Sequence, residues 1–244
     1  SFNIGDIVTG TVTGIDVSTL SPTALREILQ NGISEQSRSV HGTFDTSQIS
    51  GKINYVYIKL GASTYGNGKF DTLDYNNYIE QVAICEEFGV PYGFYYYSTA
   101  ITLEEADMEL KCIKERIEDL RQKYEMDNNL LEIAVDIELT DTHDRQYQGN
   151  ILEQTQAKAA LINGIQEQDL SKKVLIYGPG RVMQPDLDQI FDLQYLNTLL
   201  DNPEDVSLWQ CSLMNRNGSL NPNLKADVAY GEKNGFSTVT CQSG

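Results

Sequence analysis

Glu132-Ile133-Ala134-Val135-Asp136-Ile137-Glu138-Leu139 is the stretch from which the fold is read. Successive side chains of a β-strand point to opposite faces, so Ala134, Asp136 and Glu138 share one face while Ile133, Val135, Ile137 and Leu139 take the other. The apolar face suits helices packed on a sheet. The acidic face needs a reason, because carboxylates on a sheet are costly unless hydrogen-bonded or used. A solvated strand end or a structural hydrogen-bonding pair would also account for it.

Outward from this fourth strand, Leu130 to Leu139, the chain alternates strands with helices. Val12 to Val17 reads as the first strand, and Ser21-Pro22-Thr23 opens a helix through Leu29, with Pro22 suited to its first turn. Residues 31–52 are polar and read as loop. Asn54 to Leu60 is the second strand, followed by a glycine-spaced loop from Gly61 to Gly68. A helix from about Tyr75 to Phe88 stops at Gly89, and Val90 to Tyr97 is the third strand. Thr102 and Glu105 form a capping-box pattern for a helix with one apolar face from Leu103 to Leu120, its charged face reading as solvated surface. The remainder supplies a helix from about Ile151 to Ile165, a strand from Lys173 to Gly178 and a helix around Leu187 to Leu200. Short runs follow at Val206 to Cys211, about Asp227 and Ser237 to Cys241.

Such alternation means a mainly parallel sheet covered by helices. An open doubly wound sheet and a closed barrel both fit. No Gly-x-Gly-x-x-Gly turn follows the first strand and Walker A spacing is absent, while Tyr177-Gly178-Pro179-Gly180-Arg181 reads as a turn only. The expectation is therefore an α/β chain forming a TIM-like β/α barrel, with its site at the carboxyl ends of the strands. All 244 residues are expected to form a single domain, with residues 1–10 as an N-terminal extension.

Composition narrows the function. Eighteen basic against 35 acidic residues leave a formal charge of −17, which argues against a nucleic-acid partner. No run approaches the ~18–20 apolar residues of a membrane span, and Ser1-Phe2-Asn3-Ile4-Gly5 lacks the features of a signal peptide. His41 and His143 are isolated and no two cysteines are close in sequence, so these residues form no metal-binding cluster. Cys85 and Cys112 read as buried helix thiols. Cys211 and Cys241 end two late strands, where a bridge would be compatible with export.

Glycosidic cleavage requires a proton for the leaving oxygen and a negative or nucleophilic group beside the sugar carbon. Two carboxylates two residues apart on one strand, with Cα atoms ~6.6 Å apart, meet that need. Glu138 lies nearer the open end and has the longer reach, making it the candidate acid/base, with Asp136 remaining ionised. Asp16 ends the first strand in a similar setting. Tyr95 and Tyr97 share a strand face and Trp209 lies in a late strand, so they could form core or a sugar-stacking wall.

The ordered elements Gly14-Ile15-Asp16-Val17-Ser18, Tyr55-Val56-Tyr57-Ile58-Lys59, Gly89-Val90-Pro91-Tyr92-Gly93-Phe94-Tyr95-Tyr96-Tyr97, Val135-Asp136-Ile137-Glu138, Ile176-Tyr177 and Leu208-Trp209-Gln210 resemble the glycoside hydrolase family 25 lysozymes over nearly the whole chain. The resemblance implies an irregular barrel with incomplete helical cover in its C-terminal part. It also implies hydrolysis of the β-1,4 bond between N-acetylmuramic acid and N-acetylglucosamine in bacterial peptidoglycan, by an N-acetylmuramidase needing no cofactor. The family's acid/base glutamate falls on Glu138, its strand-mate aspartate on Asp136, and two supporting aspartates on Asp16 and Asp227. Tyr95, Tyr97, Tyr177 and Trp209 become the substrate-binding set. A monomer outside the cell or in the cell wall is expected, with a possible Cys211–Cys241 disulfide. The chain departs from the family at Thr19-Leu20-Ser21-Pro22, at Leu60-Gly61-Ala62-Ser63 and at Tyr95-Tyr96-Tyr97, which bears on glycan preference. Two alternatives stay open, a non-catalytic cell-wall-binding module on the same barrel and a chitin-directed glycosidase. A metal-dependent deacetylase is disfavoured by the isolated histidines.

Overall fold

The computed structural model describes residues 14–32, 53–138, 145–178, 190–211 and 232–241. Seven parallel strands form a curled, incomplete barrel in the order β1 (Gly14–Asp16), β2 (Tyr55–Gly66), β4 (Tyr92–Tyr97), β5 (Leu130–Asp136), β6 (Val174–Tyr177), β7 (Val206–Cys211) and β8 (Ser237–Cys241). Strand β3 (Lys69–Thr72) pairs antiparallel with β2. The helices are α1 (Pro22–Asn31), α2 (Asn77–Phe88), α3 (Leu103–Arg121), α4 (Ile151–Glu167) and α5 (Leu193–Leu199).

Local chemistry starts and stops these helices where the alternation calls for it. Side chains of Ser21, Thr102, Asn150 and Asp192 accept the N–H groups of Ala24, Glu105, Glu153 and Tyr195, each filling a donor that the first helical turn leaves unpaired. Gly89, at φ 64°, closes α2 in the left-handed conformation that glycine adopts freely.

Period-two alternation then sorts the strand residues. Ile15, Val56, Ile58, Phe94, Ile133, Val135, Ile176 and Leu208 join the large core beneath the helices, with Leu25, Val82, Ile113 and Ile162. The other face packs separately. Tyr55, Tyr57, Leu131, Ala134, Leu175 and Trp209 form a smaller cluster, with Tyr95 and Tyr177 against it. Two glycines make that inner packing possible. A Cβ on Gly14 would stand 1.8 Å from the Tyr55 ring, and one on Gly93 would stand 2.4 Å from the Tyr57 ring. Tyr55 and Tyr57 of β2 thus each rest on bare backbone of a neighbouring strand.

Three readings of the sequence are corrected. Gly61 to Gly68 is not a loop. Strand β2 continues to Gly66 after a register shift between Lys59 and Gly61, and Asn67-Gly68, both at positive φ, turn it into β3. That geometry matches the right-handed twist of a hairpin. Strand β5 ends at Asp136, so Glu138 stands beyond it, although the Ile137 N–H still donates to the Tyr177 carbonyl at 2.9 Å. The charged face of α3 is not wholly solvated, since Glu105 and Glu109 are buried against α4 and its approach. Residues 1–10, most of the loop at 31–52, His41, His143, Leu139, Asp227 and the first part of the helix expected from Leu187 lie outside the described residues.

Gly93→Ala should cost about 1–3 kcal/mol, the usual penalty for overfilling a packed interior. A thermal melt reads this directly, and wild-type stability would show that Tyr57 has room to move aside.

Candidate active site

Because the strands are parallel, their last residues gather at one end. Asp16, Tyr97, Asp136 and Tyr177 are the final residues of β1, β4, β5 and β6. Tyr97, Asp136, Tyr177 and Trp209 are successive register partners and make one row across the sheet. Aromatic packing closes the inner face at and beneath that row. Trp209 is 8% exposed, with its ring 4.9 Å from Tyr57 and 5.4 Å from Tyr177 between centroids.

Asp16 turns back on its own chain and accepts the Ser18 N–H at 2.9 Å. The Tyr95 hydroxyl, from β4, lies 3.2 and 3.1 Å from its two carboxylate oxygens. These donors and Lys59 favour the charged form of Asp16, yet the surrounding protein still pushes its pKa up. Asp136 is only 7% exposed, and its Oδ1 is a buried atom with no hydrogen-bond partner among the described residues. Burial pushes its pKa well up, the charges of Glu138 and Asp16 add to the rise, and Lys59 opposes it. Glu138 is half-buried, and its pKa is raised first by burial and then by Asp16, again against Lys59.

The expected residues thus separate. Asp16, Asp136 and Glu138 share one electrostatic environment, and Tyr95 is bonded within it. Tyr97 and Tyr177 flank Asp136 in the register row, whereas Trp209 is mostly covered. Asp227 is outside the described residues. Both carboxyls are pushed up, so the pair gives up its protons less readily than two isolated acids would. One proton held between two carboxylates is the ordinary result of crowding like charges at low polarity.

Lys59 and Tyr57 are the site residues that the sequence reading passed over. Lys59 moderates all three acids and lies 5.5 Å above the Tyr75 ring. Period two across Tyr55-Val56-Tyr57-Ile58-Lys59 would have turned both inward with Tyr55. Among the described residues no group of His, Cys, Asp and Glu could hold a metal ion, and no helix is long and apolar enough to cross a membrane.

Neither a family model nor a curated protein matches this chain. Among solved structures, it is similar to the modular autolysin LytC from Streptococcus pneumoniae at 18% identity and a TM-score of 0.46, over 86% of this chain and 39% of that one. The chain thus spans about two fifths of the autolysin's length. The catalytic domain of endolysin ply40 from bacteriophage P40 of Listeria monocytogenes is 15% identical, with a TM-score of 0.46 over 85% of this chain and 77% of that one. A GH5-4 broad specificity endoglucanase from Clostridium acetobutylicum is 11% identical, with a TM-score of 0.48 over 98% of this chain and 79% of that one. No functional argument rests on likenesses of this size.

A carboxyl whose folded pKa is raised holds its proton more tightly folded than unfolded. Its contribution therefore favours the fold below about pH 4, the ordinary Asp range, and is lost as pH rises through the folded value. Asp136→Asn should accordingly stabilise the protein at pH 7, by about 1–3 kcal/mol or roughly 2–4 °C per kcal/mol. The gain should vanish near pH 3. Melts at the two pH values check this, and a variant less stable than wild type at pH 7 would show that the Asp136 charge is well accommodated.

Proposed function

We propose that the chain is a glycoside hydrolase acting on bacterial peptidoglycan as an N-acetylmuramidase, with Glu138 as acid/base and Asp136 beside the reacting sugar. The observation that carries the hydrolase reading is the buried, unpartnered Asp136 Oδ1, coupled to Glu138 at the carboxyl end of a parallel sheet. A purely structural carboxylate would be expected to have its buried oxygen satisfied. The peptidoglycan reading rests on the ordered resemblance of the motifs around Asp16, Tyr57, Tyr95, Asp136 and Trp209 to family 25 lysozymes.

In this reading, one proton shared by the pair sits on Glu138, leaving an acid at the glycosidic oxygen and a negative charge on Asp136 beside the sugar carbon. Glu138 gives its proton to the leaving oxygen as the C–O bond breaks. The acetamido oxygen of the same sugar closes on the anomeric carbon while Asp136 accepts the acetamido N–H. Water, losing its proton to Glu138, then opens that ring, so configuration is retained and Glu138 is again protonated. Asp16, held by Tyr95, supports the pair electrostatically, and Tyr97 and Tyr177 flank the sugar. Asp227 is proposed as a further supporting carboxylate on the resemblance alone.

Digestion of purified peptidoglycan should release fragments with N-acetylmuramic acid at the new reducing end, read by mass analysis. N-acetylglucosamine there would overturn the muramidase assignment, cleavage of chitin instead would redirect it, and saturable binding without new ends would leave a wall-binding module. Glu138→Gln should keep the fold and lower turnover ~10²–10⁴-fold, the range for general acid–base catalysis. A folded variant retaining more than about a tenth of the rate would remove Glu138 from that role.

For a protein exported to the cell wall, we also propose a Cys211–Cys241 bridge, since the two residues are direct register partners on β7 and β8. Alkylation without reduction, followed by mass measurement, should leave both unlabelled. Label on both would refute the bridge.

A further inference from the structure

We propose that Gln154 and Lys158, one turn apart on α4, are positioning residues that hold Asp136 and Glu138 at their working separation, acting through Gln146 and Ser98. This rests on the reading of the two carboxylates as the reacting pair.

Two hydrogen-bonded branches leave the same face of α4, and each ends on the main chain of one acid. In the first, Lys158 Nζ donates to Ser98 Oγ at 2.8 Å and to the Ser98 carbonyl at 3.4 Å. Ser98 follows the last residue of β4, and its N–H donates to the Asp136 carbonyl at 2.9 Å. Its hydroxyl donates to Glu109 Oε1 at 2.6 Å, and Glu109 Oε2 accepts the Thr99 N–H at 3.2 Å. In the second branch, Gln154 Nε2 donates to the Gln146 carbonyl at 2.9 Å, and Gln146 Nε2 donates to the Glu138 carbonyl at 3.0 Å. Gly149 leaves space for the turn of this branch, since a Cβ there would stand 2.2 Å from Gln154 Nε2.

Every side chain along both branches is buried, with Ser98 and Glu109 at 0% and Gln146, Gln154 and Lys158 at 1%. Buried donors in a packed interior fix the position of what they hold far better than solvated ones. The arrangement also answers a need set by the sheet. Strand β5 ends at Asp136 and makes its last bond to β6 through the Ile137 N–H, and past that point the Gln146 amide takes over at the Glu138 carbonyl. Residues four apart on a helix lie on one face, so the spacing of 154 and 158 lets a single rigid element set both attachment points. Misplacement of a reacting group by about 1 Å, even from a distant change, can cost about 10²-fold in rate.

The test compares Lys158→Met and Gln154→Met with Leu120→Ala, a core change on α3 that serves as a stability control. Glu109→Gln/Lys158→Met replaces the single variant if loss of the lysine alone prevents folding. On peptidoglycan, the α4 variants should lose about 10–100-fold in kcat with KM within about twofold, after correction for folded fraction. The control should keep its kcat at a comparable loss in Tm. Folded α4 variants with kcat within about twofold of wild type would overturn the proposal. If wild type itself releases no reducing ends, the functional reading fails alone, and amide hydrogen exchange at Ser98 and Ile137 decides the inference. Exchange at least about tenfold faster than in the control supports the clamp. Unchanged protection overturns it.

Discussion

The Tyr57 ring lying on the bare backbone of Gly93 sets the spacing inside the curled sheet. A parallel sheet that bends toward closure must fill its concave face, and β2 does much of this with two large rings. Tyr57 continues outward from that seat, its hydroxyl donating to the Glu132 carbonyl at 3.1 Å and its ring meeting Trp209. Trp209 in turn meets Tyr177. Tyr177 and Trp209 stand in the same register row as Asp136, so this aromatic packing fills the inward positions beside the carboxylate. A smaller residue at 57, or a larger one at 93, would alter the depth at which Asp136 sits and therefore its contact with water.

That depth explains the electrostatics. Asp16, Asp136 and Glu138 all lie in the field of Lys59. The surrounding protein is the first cause of each raised pKa, although the Asp16 side chain is exposed, and repulsion from neighbouring carboxylates adds to it for Asp136 and Glu138. Glu109, also buried and also raised in pKa by burial, contrasts with Asp136 in its hydrogen bonding. Glu109 accepts from Ser98 and Thr99 with the Lys158 charge nearby, whereas Asp136 Oδ1 has no partner among the described residues.

Much of this was readable from local pattern. Alternation in 132–138 placed Asp136 on the inner face, and capping residues such as Ser21 and Thr102 marked helix starts. Two failures share a cause. Lys59 and Tyr57 obey the same period-two rule, but in a segment as apolar and aromatic as Tyr55 to Leu60 neither face looks polar enough to declare itself. Gly61 to Gly68 was read by its glycines alone, although Asn67-Gly68 between Tyr65 and Phe70 is a hairpin turn signal. The buried face of α3 was beyond any local rule. Glu105 and Glu109 look like surface charge until Arg145 and Lys158, some 40–50 residues later, are brought against them or the chain beside them. The raised pKa values of Asp136 and Glu138 are equally hidden in the sequence, since they follow from burial and not from residue type.

The hairpin that the glycine spacing concealed also bears on how the chain reaches its fold. Each parallel pairing joins residues roughly 30–40 positions apart, as in Tyr57 with Gly93 or Leu175 with Ser207, so each requires a long loop to close first. Strands β2 and β3 are joined by two residues and pair without that entropic cost. Their turn can therefore form on the microsecond scale of an isolated hairpin. Early closure there would present β2 as an ordered edge on which the slower β1 and β4 pairings assemble.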